Sequence, residues 1–555
     1  MIDVKVCYIA FGDNILKTTY FSLVLHSHIP YICGHGSHPH GEYWLFEAMY
    51  EVYLPLLEII DNTKNQDYQI TLGLTPILLI QLANPEIQQK FDRYLLEKER
   101  ILQKHKEQKE FVEGHTYWMQ TLQKRKQIWN YWHKNIISGF CFYRDMGRIC
   151  FLTSYANHAY GPLLMYDQTI VRELELGLQI SEYYLGERPK GIWIPECAFA
   201  PQRMKWNPIE QEHQLRQGID RILEAQDIKF FFVESHLVEH AKSEGVQHQD
   251  IFTKLTWEAR SQFPQFQWGH TSQPTWVSSL GIGSKIAAFA RDAKISGQVW
   301  SAEMGYPGDG RYLEFHKSID GIRYWRVTDR RFQLDQKKIY SPSLARDIVH
   351  QHAKHWCSLI EEQGETFPKD AVITACFDTE LFGHWWHEGP QFLEAVISIL
   401  TTNKNIQMAS PQKLLESNPP QTVMSLPEGS WGAKGNHSVW NNDQTHWMWE
   451  VIHRCEKTYL DLESKGQATK ELMWYFSLLA CSDWIFVITS KGAIDYGYHR
   501  FSYAYKRFMA LAEMLELQNQ LEDQDIPERI LVAVQESRVF QPLPEPLKGI
   551  CNISL

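Results

Sequence analysis

Short apolar runs alternate with longer amphipathic stretches from residue 21 to residue 400. The runs have the length and the aromatic or β-branched content of buried strands, and the stretches between them carry apolar residues three and four positions apart, as helices do. We therefore predict seven strands, the first two including the turns that end them: 21–30, 68–79, 149–154, 191–199, 229–234, 298–301 and 371–377. Helices are predicted between them at 43–60, 85–137, 167–185, about 208–226 and 341–363.

Alternation of strands and helices is typical of parallel sheets. Most of the predicted strands end in His, Glu, Trp, Asp or a Gly/Pro turn, which favours a barrel whose site lies at the carboxyl ends of its strands. An open doubly wound sheet is the alternative, but it requires a glycine-rich loop after the first strand, and His26–Pro30 is not one. Gly281–Lys285 has a faint likeness to a phosphate loop, yet no strand precedes it, so we interpret it as a linker.

The pattern changes after residue 408. Pro419 and Pro420 mark a break, a loop rich in glycine and indole follows, and helices are predicted at about 442–464, 468–487, 498–524 and 527–537. We expect an N-terminal appendage, a catalytic barrel with an insertion or lid, and a helical C-terminal domain that contributes Trp431, Trp440 and Asp483 to the site. The expected bounds are 1–17 for the appendage, 18–410 for the barrel, about 200–280 for the insertion and 411–555 for the C-terminal domain.

Composition narrows the class of protein. The net charge of −11 argues against a nucleic-acid partner. Ten cysteines without CxxC pairs fit reduced thiols in a cytoplasmic protein. No signal-peptide pattern is seen at the N-terminus, and no run approaches the roughly 20 apolar residues of a membrane span, so no membrane partner is expected. We expect a monomer. The 20 tryptophans and 26 tyrosines exceed what a core needs and indicate binding surfaces.

Two carboxyl groups stand at predicted strand ends, Glu196 after the fourth strand and Asp378 after the seventh. In a closed barrel these strand ends face each other across one mouth. Asp378 is followed by His384, Trp385, Trp386 and His387, a mixture of indole and imidazole rings that suits sugar recognition. Retaining glycoside cleavage needs one carboxyl as nucleophile and a second as acid/base. The alternative is an ordinary acid beside a buried aromatic cluster.

In their order and spacing, the segments around these residues resemble glycoside hydrolase family 57, and most closely its 1,4-alpha-glucan branching enzymes. The matching segments are His26–Pro30, 153–164 around His158, Trp193–Glu196, 299–309, 377–385, 426–440 and Ser482–Trp484. The resemblance implies a (β/α)7 barrel with a helical insertion after strand four, an all-helical C-terminal domain, an alpha-glucan substrate, a retaining mechanism, and neither a cofactor nor a metal.

The resemblance also implies roles for individual residues. Glu196 matches the nucleophile and Asp378 the acid/base. The other matching positions are those that contact substrate, with Trp300 and Trp440 as stacking platforms: His26, His28, His158, Arg291, Trp300, Gly308, Trp431, Trp440 and Asp483.

The chain departs from the branching-enzyme pattern in two places. His38 precedes Pro39 where a Trp is expected, and no Tyr occurs between Glu234 and Leu280, where branching enzymes carry a tyrosine that shields the intermediate from water. The nearest substitutes are Phe263, Phe266, Trp268 and Trp276. Transfer and hydrolysis share every step up to the intermediate, so the departure bears on which acceptor ends the reaction.

Branching is thus the leading hypothesis, and three others stay open. The same site could act as a hydrolytic amylase or a 4-alpha-glucanotransferase. A metal-dependent polysaccharide deacetylase would need one Asp and two His, for which His26 and His28 are the plausible pair. A non-catalytic glucan-binding protein would lack a carboxyl, and both are present.

Overall fold

The computed structural model describes residues 18–249, 255–259, 269–281 and 283–517 of the chain, so the predicted appendage lies outside the described residues. The strands follow in chain order: β1 (Thr19–Ser27), β2 (Ile70–Leu74), β3 (Ile149–Thr153), β4 (Gly191–Ile192), β5 (Arg203–Asn207), β6 (Glu212–Arg216), β7 (Phe230–Val233), β8 (Lys242–Gln249), β9 (Leu255–Ala259), β10 (Thr275–Val277), β11 (Ala287–Ala290), β12 (Val372–Asp378), β13 (Ile406–Met408) and β14 (Thr422–Ser425).

The helices of the catalytic part come first, with a π-helical turn joining the first two: α1 (Glu42–Ala48), α2 (Leu54–Thr63), α3 (Pro76–Ala83), α4 (Pro85–His105), α5 (Val112–Tyr131), α6 (Ile136–Asp145), α7 (Asp167–Leu185), α8 (Ile219–Ala225), α9 (Ser235–Glu239), α10 (Ala293–Trp300), α11 (Pro342–Thr366) and α12 (Gly389–Leu400). The later helices are α13 (Pro411–Ser417), α14 (His446–Ser464), α15 (Lys470–Leu479), α16 (Ser482–Thr489) and α17 (Ile494–Leu517). No helix in the described ranges combines the length and apolarity of a membrane span.

Seven parallel strands form the centre of the molecule, in the order β12-β1-β2-β3-β4-β7-β11. One apolar cluster joins side chains from strands all along this row, among them Val24 of β1, Leu152 of β3 and Phe289 of β11. Asp292, which follows β11, donates its backbone N–H to the carbonyl of Thr374 in β12 at 2.7 Å. The predicted α/β class is confirmed. This hydrogen bond joins the two ends of the row, as closure into the predicted (β/α)7 barrel requires.

The predicted sixth strand, 298–301, is wrong. Residues 293–300 form α10, because the carboxylate of Asp292 caps this helix and accepts a hydrogen bond from the N–H of Ile295 at 2.9 Å. The sixth strand of the row is β11, whose sequence Ala-Ala-Phe-Ala is fully buried. Alanine is uncommon in strands, so the hydrophobic pattern did not reveal it.

The insertions also differ from expectation. The fourth strand is only two residues long. Of the region predicted as a helix at about 208–226, the first half belongs to the antiparallel hairpin of β5 with β6, and only the second half is helical, as α8. The helical insertion lies between β2 and β3, as α3 to α6, rather than after the fourth strand.

The segment predicted as an irregular loop at 237–280 contains strands. The hairpin of β8 and β9 joins the sheet through β14, and β10 joins it through β11 and β14. Trp276 lies in β10 and is buried, whereas Phe263, Phe266 and Trp268 lie outside the described residues.

The C-terminal region is mainly helical as predicted, but it is not all-helical, because β14 lies within the predicted bounds 411–555 and joins the sheet. The predicted helix 527–537 lies outside the described residues. The single helix expected at 468–487 is broken between α15 and α16, where Cys481 forms an isolated β-bridge with Ala159. Side chains of α14, α15 and α17 share one apolar core with β4 and β7. The break places Ser482 and Asp483 at the start of α16, against the strand ends of the barrel. The domain bounds themselves stay a prediction.

Candidate active site

A cavity of about 600 Å³ lies at the carboxyl ends of β1 and β12. Both the strand ends and segments after residue 430 contribute to its lining. The predicted site residues that line it are His26, His28, His158, Glu196, Asp378, Trp431 and Asp483.

Glu196 lies in a tight turn with a left-handed backbone. Its φ is 62° and that of Cys197 is 48°, values that cost a non-glycine residue roughly 1–3 kcal/mol. The turn is held by a later segment: the backbone N–H of Trp431 donates to the carbonyl of Glu196 at 3.1 Å, and Phe199 and Gly429 exchange backbone hydrogen bonds at 2.9 and 3.0 Å. The loop at 429–431 therefore stabilises a strained turn that aims the Glu196 carboxyl into the cavity.

Both oxygens of Glu196 accept hydrogen bonds. The indole Nε1–H of Trp431 donates to Oε2 at 2.7 Å, and the hydroxyl of Ser482 donates to Oε1 at 3.3 Å. Burial raises the pKa of Glu196 to about 8, the Trp431 hydrogen bond acts in the opposite direction, and the charges of Asp483 and Asp378 add to the rise. We call Glu196, Trp431 and Ser482 the closed wall of the cavity.

Asp378 ends strand β12, directly opposite His26 in the parallel ladder. Burial raises its pKa to about 7, an effect that His28 and Arg291 reduce. Among the described residues, none donates a hydrogen bond to the side chain of Asp378. Its carboxyl therefore lies half-buried, and no donor among the described residues fixes its orientation.

The charge of Asp378 adds to the rise in the pKa of Glu196, so the ionisation of Glu196 depends on that of Asp378. Although the pKa of Glu196 is the higher of the two, both donors point at Glu196, and hydrogen bonds to a carboxylate favour its charged form. The two donors thus serve a charged Glu196, whereas Asp378 has no donor among the described residues that would hold it charged.

Three imidazoles form the floor of the cavity as a stack. The ring centroids of His28 and His158 are 4.1 Å apart, and those of His26 and His158 are 5.1 Å apart, with planes within 20° in both pairs. Burial lowers the pKa of both His26 and His158, so these two rings are neutral. His28 contacts Asp483 at 2.8 Å; burial would raise the pKa of Asp483, but the His28 interaction lowers it well below its usual range.

Residues 22–427 match the family model described as Glycosyl hydrolase family 57, and residues 443–543 match the one described as 1,4-alpha-glucan branching enzyme, C-terminal. The first match covers most of the chain. The chain belongs to glycosyl hydrolase family 57. The resemblance inferred from the sequence motifs is thereby confirmed.

Relatives of this family-57 chain support the same assignment. A 1,4-alpha-glucan branching enzyme of Thermococcus kodakarensis is 33% identical over 546 residues, which cover 92% of this chain and 78% of the relative. The crystal structure of a GH57-type branching enzyme from Pyrococcus horikoshii has a TM-score of 0.81 at 31% identity and covers 95% of both chains. An alpha-amylase from Thermotoga maritima has a TM-score of 0.75 at 26% identity and covers 94% of this chain and 97% of the amylase.

The family-57 cavity also contains one set of residues with the composition of a metal site. Among the described residues, the ligand atoms of His28, His158 and Asp483 all lie within 4.8 Å of one another. The structure therefore pairs His28 with His158 beside an Asp, and not with His26 as predicted for a deacetylase. The rings of His28 and His158 are nearly parallel, at 17°, so their in-plane lone pairs do not converge on one point. The set therefore suits hydrogen bonding better than metal coordination.

Arg291 lies behind the closed wall. Its guanidinium pairs with Glu234 at 2.5 Å and lies 5.8 Å from the ring centroid of Trp431. In the structure Arg291 thus contacts the indole that binds Glu196, and its predicted contact with substrate stays a prediction.

Besides Arg291, three of the predicted substrate contacts do not line the cavity. Trp300 is half-exposed at the end of α10, because its segment is a helix rather than a strand. Gly308 leaves room for Arg330, which donates to the Gly308 carbonyl at 3.1 Å, so this glycine shapes a turn. Trp440 is 1% exposed and packs on Tyr160, so its indole fills the core and is not free to act as a platform.

Another part of the cavity lining includes an exposed side chain, and we call Phe315, His384 and Trp385 the open wall. Trp385 is 56% exposed, and its ring centroid is 4.6 Å from that of Phe315. His384 binds the buried Glu51 at 2.8 Å, and Arg323 binds Glu51 as well as the carbonyl of His384, at 3.2 Å for the latter. A buried ion pair thus fixes the backbone from which the exposed indole projects.

The sequence prediction missed three contributors to this site: Ser482, Glu380 and Phe315. Glu380 is a third carboxyl in the cavity, where burial raises its pKa to about 8 and the hydroxyl of Tyr53 donates to it at 2.5 Å. Ser482 immediately precedes Asp483, and Glu380 follows Asp378 by two positions. This proximity to predicted site residues was the one signal in the sequence that could have indicated them. Phe315 follows no strand and had no such signal.

Proposed function

We propose that this chain is a 1,4-alpha-glucan branching enzyme, with Glu196 as nucleophile and Asp378 as acid/base. Its relatives in Thermococcus and Pyrococcus carry that activity in their names, and the C-terminal region matches the branching-enzyme model. The observation that carries the proposal is the pair of unlike carboxyls in one cavity, Glu196 bound by two donors and Asp378 by none among the described residues.

In the first step the charged Glu196 attacks the anomeric carbon of an α-1,4-linked glucose. Asp378 gives its proton to the glycosidic oxygen, and the fragment carrying the reducing end leaves. The product is a β-linked glucosyl-enzyme. Positive charge that develops at the anomeric carbon lies beside Glu196 and further favours its ionised form.

In the second step Asp378 removes the proton from a 6-hydroxyl of an acceptor glucan. That oxygen attacks the anomeric carbon, the bond to Glu196 breaks, and an α-1,6 linkage with retained configuration forms. Asp378 is again protonated and Glu196 is again charged. His26, His28, His158 and Asp483 would hold the hydroxyls of the donor sugar.

Hydrolysis on the same site is the second candidate. The specific observations that favour it are the amylase among the similar structures and the absence of any Tyr between Glu234 and Leu280. In that case water resolves the glucosyl-enzyme instead of a 6-hydroxyl, and all earlier steps are unchanged.

Incubation with amylose separates the two candidates. Branching should produce new α-1,6 linkages, measured after isoamylase debranching, in excess over new reducing ends. Abundant reducing ends with almost no α-1,6 product would reject branching in favour of hydrolysis. The assay repeated with and without a chelator tests the metal-dependent alternative, for which activity should disappear and return with zinc.

We further propose that the enzyme works as a cytoplasmic monomer. The cavity is formed by one chain, and the cysteines of the described residues are unpaired and mostly buried, as in proteins of reducing compartments. Sedimentation at working concentration tests the oligomeric state.

A further inference from the structure

Ser482 lies where the catalytic carboxyl and the histidine stack meet. Its side chain is fully buried, and its hydroxyl is 3.0 Å from Nδ1 of His158 and 3.3 Å from Oε1 of Glu196. Its backbone N–H donates to the carbonyl of His158 at 3.1 Å, which fixes the position of the hydroxyl. We propose that Ser482 is a positioning residue for Glu196, as the last member of a hydrogen-bond chain with one direction, His26 to His158 to Ser482 to Glu196. This inference rests on the proposed role of Glu196.

The direction follows from what each group can donate. A carboxylate only accepts, so the single proton of the Ser482 hydroxyl goes to Glu196. The Ser482 oxygen then accepts from Nδ1–H of His158. A neutral imidazole that carries its proton on Nδ1 has its lone pair on Nε2. The Nε2 atom of His158 therefore accepts, and its partner at 3.1 Å is Nε2 of His26.

The far end of the chain provides an independent check. If His26 donates from Nε2 and is neutral, its Nδ1 carries a lone pair and no proton. The Nδ1 atom of His26 is buried and has no hydrogen-bond partner among the described residues. An unpaired N–H buried at this position would destabilise the fold more than a nitrogen that carries only a lone pair. The unpartnered Nδ1 of His26 therefore fits a chain in which His26 is the first donor.

Charged groups lie around this hydrogen-bond chain, but none of them takes the place of Ser482 in it. His28, which stacks on His158, contacts Asp483 through Nε2 and Thr75 through Nδ1, so it does not compete for Ser482. The carboxyls facing Glu196 are Asp378 and Asp483, both of which disfavour its charge, and Nδ1 of the neutral His158 lies 3.8 Å from Oε1 of Glu196. Ser482 and Trp431 are the two donors that oppose them, one on each carboxylate oxygen.

The test is a graded series at position 482. Ser482→Ala removes the donor, which raises the pKa of Glu196, so the acidic limb of kcat/KM should move up by about 0.5–1 pH unit and kcat/KM should fall about 5- to 10-fold. Ser482→Cys, with a weak S–H donor, should fall between Ala and Ser. The alkaline limb should not move.

The matched control is Ser477→Ala. Ser477 is also fully buried and accepts a hydrogen bond from the Asn157 amide at 2.9 Å, but it does not contact a carboxyl of the pair. The Ser477→Ala variant should have a lower melting temperature, and neither limb of its pH profile of kcat/KM should move. Equal shifts for Ser477→Ala and Ser482→Ala, or a Ser482→Ala enzyme with unchanged limbs and kcat/KM within twofold of the parent, would overturn the proposal.

A second measurement does not depend on turnover. Water-soluble carbodiimide modifies protonated carboxyls, and peptide mapping over a pH series gives the midpoint for Glu196 directly. The midpoint should rise in Ser482→Ala and stay in place in Ser477→Ala, and an unchanged midpoint in Ser482→Ala rejects the positioning role. If the parent makes no branches but the midpoint moves as expected, the proposed function fails and the role of Ser482 stands.

Discussion

The two walls of the cavity are built in opposite ways. The closed wall holds Glu196 on a left-handed turn, with a hydrogen bond on each carboxylate oxygen and with both donors contributed by residues after 430. The open wall lies on the side of Asp378, which ends a regular strand, and it leads to an indole that is 56% exposed.

The difference matches the demands that a retaining reaction makes on its two carboxyls. A nucleophile must be charged and must keep one orientation, which fixed donors and a rigid turn provide. An acid/base must exchange its proton with two different oxygens in turn, which a carboxyl without fixed donors can do. The exposed ring beside it gives an incoming sugar an apolar face on which to stack.

Removing each carboxyl in turn should have the largest effect and should separate the two roles. With an activated maltooligosaccharide donor and added azide, Asp378→Ala should form the α-glycosyl azide, because Glu196 still makes the β-linked intermediate. Glu196→Gly should form the β-glycosyl azide, because azide then attacks directly. Without azide we expect kcat to fall about 10²–10⁴-fold for Asp378→Ala and on the order of 10⁴-fold or more for Glu196→Gly.

The configuration of the azide product is read by NMR. A β-azide from Asp378→Ala together with an α-azide from Glu196→Gly would show that Asp378 is the nucleophile and Glu196 the acid/base. The contrast drawn between the closed wall and the open wall would then be wrong.

Much of this comparison could be predicted from the sequence. The strand ends at Glu196 and Asp378 follow clear apolar runs, and His26 and His28 are two positions apart, which places them on one face. The sixth strand could not be predicted, because Ala-Ala-Phe-Ala lacks a strand signature. The contact between Ser482 and Glu196 also had no local signal, since it joins residues 286 positions apart and depends on a helix break that tertiary packing imposes.

Trp431→Phe should lower kcat/KM by an intermediate amount and should change the ionisation of Glu196 but not that of Asp378. It removes the 2.7 Å donor and retains the ring, so the pKa of Glu196 rises and the acidic limb of kcat/KM moves to higher pH, while the limb set by Asp378 stays in place. A hydrogen bond to a charged group contributes about 1.5–3 kcal/mol, so kcat/KM should fall about 10- to 100-fold.

Trp449→Phe is the control for that variant. Its indole also donates a hydrogen bond of 2.8 Å, but to the carbonyl of Trp440 inside the C-terminal core. It should lower stability and leave the pH profile unchanged. If Trp431→Phe behaves like Trp449→Phe, the indole of Trp431 only supports the fold.

Trp385→Ala should have the smallest effect and should appear only in binding. Loss of one exposed stacking face is worth about 1 kcal/mol, so KM for long glucans should rise about 3- to 10-fold at nearly constant kcat and melting temperature. The neighbouring Trp386 is 1% exposed, so Trp386→Ala should instead cost about 3–5 kcal/mol of stability. An unchanged KM for both long and short glucans would show that the open wall does not bind substrate.

The long separation between Glu196 and its donors has a consequence during synthesis of the protein. Ser482 leaves the ribosome 286 residues after Glu196. At 5–20 residues per second this interval is roughly 15 to 60 s, long enough for the strands of the barrel to form around a carboxyl that still lacks its partners. The growing chain therefore passes through a stage in which both carboxyls are present and catalysis is not yet assembled. Activity should appear only after the last helices have docked.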